Sequence, residues 1–148
     1  MPLQKTLNNK FSCITKLNTQ CFNAERKMAH SLSGIVSVEI NLEDEITFKE
    51  KIRWKNESSL LMNSKNVYRW TFLQSENIKL DHLRFGIRNP VFLVELIKSG
   101  QNYWKSKESH NCNNDLYSAE LIIKKKSIML LWKVTGPTEN YSLETTYS

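Results

Sequence analysis

Gly34-Ile-Val-Ser-Val-Glu-Ile-Asn-Leu42 sets apolar Val36, Val38, Ile40 and Leu42 against polar Ser37, Glu39 and Asn41. Successive side chains on a strand point to opposite sides, so this alternation predicts a β-strand with one buried face. After the polar connector Glu43-Asp44-Glu45, Ile46-Thr-Phe-Lys-Glu-Lys-Ile-Arg-Trp54 puts Ile46, Phe48, Ile52 and Trp54 on one side, and the two segments read as a hairpin. Further strands are expected over 67–73, 78–85, 91–97, 116–124, 128–135 and 140–147. Asn89-Pro90, Ser99-Gly100-Gln101-Asn102, Asn113-Asn114-Asp115 and Gly136-Pro137 punctuate them as turns. A helix is expected only near residues 18–31, where Cys21, Ala24, Glu25 and Met28 fall at helical spacing. The fold class is therefore all-β. Eight or nine antiparallel strands with short connections close most simply into an up-and-down barrel, formed by residues 1–148 as a single domain. A barrel of about eight strands is wide enough to hold one small ligand.

Composition agrees with an ordinary globular chain. Its 148 residues are 40% hydrophobic and 24% charged, and a domain of this length buries about 70% of its unfolded surface without staples. No apolar run approaches the ~20 residues that span a bilayer, so no membrane span is expected. The opening MPLQKTLNNKFSCITKL has no continuous apolar core and is not expected to act as a secretory signal. Cys13, Cys21 and Cys112 are odd in number and far apart, which argues against a disulfide framework and for the reducing cytoplasm. The net charge of +6 comes from lysines spread along the whole chain, with Lys124-Lys125-Lys126 as the one dense run, at an expected hairpin tip. No recognition module with interleaved aromatics accompanies them, so nucleic acid is not an expected partner.

The C-terminal third carries His110-x-Cys112-x-x-Asp115-x-Tyr117, then Trp132-x-Val134-x-Gly136-Pro137-x-x-x-Tyr141, and ends in Thr145-x-Tyr147. Upstream stand Gly34-x-Val36-x-Val38, Phe48-x-Glu50, Tyr68-Arg69-Trp70 and Arg88-Asn-Pro-Val-Phe92. In this order the motifs resemble a lipocalin-like family without assigned function, the domain of unknown function 6314. The resemblance spans nearly the whole chain and implies a calycin-type barrel, but no reaction. Two places depart from the pattern. Such barrels commonly open with a Gly-x-Trp plug, where this chain reads Asn9-x-Phe11. After Gly136-Pro137, Thr138-Glu139-Asn140 replaces the family's basic residues, which puts an anion-binding role there in doubt.

Glu50 is the sharpest chemical candidate. It shares its face with Ile46, Phe48, Ile52 and Trp54, so the pattern points a carboxylate into the barrel. An unpaired buried carboxylate costs many kcal/mol, so it must be paired, protonated or wet. Proton transfer or hydrogen bonding to a ligand would use it; an ion pair with Arg69 or Arg53 would make it structural. Tyr68, Trp70 and Phe72 oppose Arg69 and Thr71 on their strand, and the pattern leaves either face free to look inward. The cluster His110, Cys112, Asp115 and Tyr117 invites a metal or a nucleophile. Yet strand phase splits it into two pairs, and zinc wants three or four fixed ligands, so no metal is assigned. A Cys112 nucleophile with His110 as base lacks an oxyanion donor. Alternatively Asp115 caps a turn and Tyr117 packs at the barrel mouth.

Glu50 and His110 are thus the candidate acid/base residues. Glu50, Arg69, Trp70, His110, Cys112, Asp115, Tyr117, Trp132 and Tyr141 are the candidate ligand contacts. Three functions remain open: a carrier of a small apolar or amphipathic ligand, an acid/base enzyme (isomerase, cyclase or hydrolase) on the same barrel, and an interaction module with a filled interior. No cofactor is indicated.

Overall fold

The computed structural model describes residues 3–25, 27–55, 58–107, 110–112, 115–137 and 140–148, the side chains of 110–112 excepted. The chain runs α1 (Leu3–Ser12), β1 (Lys16–Asn23), β2 (Met28–Leu42), β3 (Glu45–Lys55), β4 (Leu61–Phe72), β5 (Ile78–His82), β6 (Val91–Gly100), β7 (Tyr103–Ser106), β8 (His110–Cys112), β9 (Asp115–Ile123), β10 (Ile128–Thr135) and β11 (Asn140–Tyr147). Every pairing is antiparallel. Neighbours in sequence are neighbours in the sheet from β1 to β7, β11 lies beside β1, and β9 pairs with β10 to close the ring. β7 and β8 occupy successive stretches of one edge of β9, at residues 120–122 and 115–117. Ten strands therefore make up the circumference of a closed barrel.

The alternation holds in β3 and over residues 34–38 of β2, but Ile40 and Leu42, expected on the buried face, are 60% and 61% exposed where the pairing with β3 shifts register. In β3, Ile46, Phe48, Glu50 and Ile52 are buried while Lys49, Lys51 and Arg53 are exposed. The connector turns at residues 43 and 44, and Val36 lies opposite Glu50 across the hairpin. Gly34 sits where β2 presses on β3. A Cβ there would lie 3.1 Å from the Ile52 Cα and collide with the Lys51 carbonyl oxygen.

Two expectations are corrected. Residues 18–31 are not helical: they form β1, a turn and the first part of β2. β1 was disguised because its inward positions are Leu17 and Thr19, and a threonine breaks an apolar alternation without breaking a strand. The helix lies instead at Leu3–Ser12, where Leu3, Leu7 and Phe11 recur every fourth residue and bring one narrow apolar stripe onto the barrel. The strand count rises from eight or nine to ten because β1 lies where a helix is expected and β7, four residues long, is too short to show a period.

α1 closes one end. Asn8 donates from Nδ2 to the carbonyls of Leu42 (3.2 Å) and Glu43 (2.7 Å), and Gln4 donates to the Phe72 carbonyl at 2.8 Å. These bonds tie the helix to the β2–β3 and β4–β5 ends. Phe11 enters the barrel and meets Phe48, Trp70 and Phe72 at ring-centroid distances of 5.9, 5.1 and 5.0 Å. The contacts with Trp70 and Phe72 are edge-on, an arrangement that adds about 0.5–1.5 kcal/mol each to the burial of the rings. Phe11 thus occupies the place of the expected plug.

Candidate functional site

Above the Phe11 cluster the barrel is open. A cavity of about 480 Å³ is walled by aliphatic and aromatic side chains from nearly every strand, and it reaches the exposed Arg84 at the end away from α1. Its polar groups come from β1, β3, β4, β5, β9 and β11.

Glu50 leads that group, 3% exposed. Strand phase puts it on the inward face, two residues above Phe48, and the ring closure brings β11 round to meet it. Tyr147 donates from its hydroxyl to Glu50 Oε2 at 2.7 Å. Burial pushes the Glu50 carboxyl up from 4.5 to about 7, and hydrogen bonds from Tyr147 and Asn66 pull it back only part of the way. Burial and the adjacent Glu50 charge hold the Tyr147 and Tyr68 hydroxyls well above the usual tyrosine range, so both remain donors at neutral pH. Burial, then the Arg84 charge, lowers His82 below its ordinary value and keeps the imidazole neutral. The His82 ring meets Tyr68 edge-on, centroids 4.8 Å apart, in register across β4 and β5. The arrangement is a carboxyl group poised between its two protonation states, flanked by neutral hydrogen-bonding groups inside a largely apolar wall.

Of the residues singled out by pattern, Glu50, Trp70, Tyr117, Trp132 and Tyr141 come together around this cavity. Arg69 does not. It looks outward, bonds Asp81 Oδ2 at 3.1 Å and approaches Glu45 Oε1 at 4.0 Å, so Glu50 has Tyr147 for a partner where an arginine had been one expectation. The β4–β5 register, which sets Arg69 opposite Asp81, decides the face. Asp115 is buried at the start of β9 but is absent from the cavity wall. It packs beneath Gly136: a Cβ at 136 would collide with Asp115 Oδ1 and sit 2.7 Å from its Cα. That close approach gives the paired Asp115 and Gly136 of the C-terminal motifs a structural reason. The side chains of His110 and Cys112 lie outside the described residues; their backbone forms β8, with His110 opposite Tyr117. Among the described residues, no three His, Cys, Asp or Glu side chains stand together as a metal site.

Pattern reading missed Asn66, His82 and Arg84, and it missed the pairing of Tyr147 with Glu50. Ile78-x-Leu80-x-His82 carried a usable signal, because His82 continues an apolar face. The Tyr147–Glu50 contact joins residues 97 positions apart and leaves no trace in local sequence.

Comparison with curated proteins and with solved structures finds no match. The model of a family of unknown function, DUF6314, matches residues 11–148, and with it the motifs and the barrel they build. The chain belongs to the DUF6314 family.

Proposed function

We propose that the protein binds a small apolar or amphipathic molecule inside the barrel, in the manner of lipocalin-like, calycin-type barrels. The Glu50–Tyr147 pair would engage a polar group of the ligand. The observation that carries this reading is a titratable carboxyl group inside an unfilled, mostly apolar cavity of about 480 Å³. Small-molecule sites commonly have about 300–1,000 Å³ and a few polar groups fixing orientation. A core left unpacked gives up contact energy, so the open volume speaks against an interaction module with a filled interior. Arg84, at the mouth, suits an anionic end of an amphipathic ligand.

Native mass spectrometry of the protein purified from its own host tests the proposal. The expected result is a co-purifying small molecule. Trp70 and Trp132 line the cavity, so the same ligand should change tryptophan emission on titration. Glu50→Gln should weaken binding by about tenfold, the worth of one hydrogen bond to a charged group. A barrel that purifies empty, with emission indifferent to apolar and amphipathic compounds, would sink the reading.

One observation favours a second reading. A carboxyl group titrating at about 7 is matched to proton transfer near neutral pH. On that reading Glu50 takes or gives the proton in an isomerisation, cyclisation or hydrolysis. Turnover that follows a titration near pH 7 and vanishes in Glu50→Gln would establish it. The free, exposed Cys13 fits a reducing compartment, and the cytoplasm is the proposed location.

A further inference from the structure

The outward positions of β3 read Lys49, Lys51, Arg53 and Lys55, all exposed. Lys65 of β4 stands directly opposite Lys51. Beside them lies a hollow of about 1030 Å³ on the outside of the barrel, walled by Lys16, Lys51, Arg53 and Lys65. Ile35, 68% exposed, lies in the same hollow. Lys49 is paired with Glu39 at 2.6 Å; the other cations have no ion pair among the described residues. Like charges placed directly opposite on a sheet destabilise it, so the fold gains nothing from setting Lys51 against Lys65.

The same hairpin ends in an apolar tip. Leu60 and Leu61 are 62% and 55% exposed, and Met62 follows them. Leu61 lies opposite Lys55 on the basic face, and Met62 lies opposite Trp54 on the other. β4 extends seven residues beyond its pairing with β5, which begins at Tyr68, so this part of the hairpin stands clear of β5. Residues 56 and 57 lie outside the described residues.

We infer that the β3–β4 hairpin docks the protein on an anionic phospholipid surface. Leu60, Leu61 and Met62 enter the boundary between headgroups and acyl chains, while Lys51, Arg53, Lys55 and Lys65 meet the headgroups. Apolar side chains beside a basic collar are what an interfacial anchor requires, because burial and attraction to anionic lipid add. Nucleic acid would use the cations alone. Bases stack on aromatic platforms, and the tip is aliphatic; Trp54 faces the other side and donates to Ser64 Oγ at 3.3 Å. The inference stands independently of what the cavity holds.

Flotation of the full chain with phosphatidylcholine vesicles, with and without phosphatidylserine, tests it. Binding should require phosphatidylserine and weaken as salt is added. Each cation near an anionic surface contributes about fivefold in partitioning, so Lys51→Gln/Arg53→Gln/Lys65→Gln should lose about a hundredfold. Leu60→Ser/Leu61→Ser should lose about tenfold or more. Lys51→Arg/Arg53→Lys/Lys65→Arg keeps the charge and should bind like the parent, which separates lost charge from lost fold. Equal binding to neutral vesicles, or no binding to either kind, overturns the inference. So does a serine-tip variant that floats like the parent while a single-stranded oligonucleotide displaces it from vesicles.

Discussion

The two ends of the barrel interior are built by the same strands to opposite ends. At the floor, Phe48 of β3 and Trp70 and Phe72 of β4 close on Phe11 of the helix with no exposed surface. Two residues further along β3, Glu50 faces an open volume in company with Tyr147, Tyr68 and His82. The floor is fully buried; the upper half leaves space and places titratable groups around it. One helix that seals an end supplies the cohesion that lets the other end remain a cavity.

The contrast predicts substitutions of opposite sign. Phe11→Ala should be the most damaging, at about 3–5 kcal/mol for a buried phenylalanine, read as a fall in the urea midpoint. A loss under about 1 kcal/mol would mean that the helix is an ornament and the barrel holds itself closed.

Glu50 should act the other way. Its carboxyl group rises from 4.5 to about 7 on folding, so the folded state binds the proton more tightly. That stability is complete below pH 4.5 and is lost as pH rises through about 7. The total is on the order of 3 kcal/mol from the width of the window. Glu50→Gln should therefore flatten stability across this range and exceed the parent at mildly alkaline pH. A parent whose denaturation midpoint does not change over the window would contradict the buried carboxyl.

Tyr147→Phe removes the donor to Glu50 Oε2, a bond of 2.7 Å. It should cost about 1–3 kcal/mol at mildly alkaline pH, where the carboxylate is left short of a partner, and less in acid. Equal losses at both pH values would assign Tyr147 to packing alone. Smallest of all, Lys65→Ala relieves the facing Lys51 and should stabilise by a few tenths of a kcal/mol at low salt, about the size of one cross-strand pair. Added salt should erase the difference.

The alternation was readable in residues 34–38 and 46–54 because one face of the hairpin there is buried and the other mostly wet; Ile40 and Leu42 keep the period yet lie exposed. The same rule puts Glu50 inside. The helix over residues 3–12 escaped because its stripe is three residues wide among polar neighbours, and a threonine at position 19 hid β1. Arg69 was ambiguous for a reason local pattern could not remove: Tyr68 and Trp70 on one side and Arg69 on the other both make plausible linings. Register against Asp81 settles the matter.

Periodicity and motif order, by themselves, determined an antiparallel barrel, an inward carboxylate and the family signature, since each follows from neighbours one to five residues apart. Tertiary structure alone decided that Tyr147 meets Glu50, that Phe11 plugs the end, that His82 and Arg84 join the cavity, and that Lys16 and Lys65 join the outward cations of β3. Closing a ring of strands juxtaposes residues a hundred positions apart, and shear sets which of them meet. Local sequence does not encode either quantity.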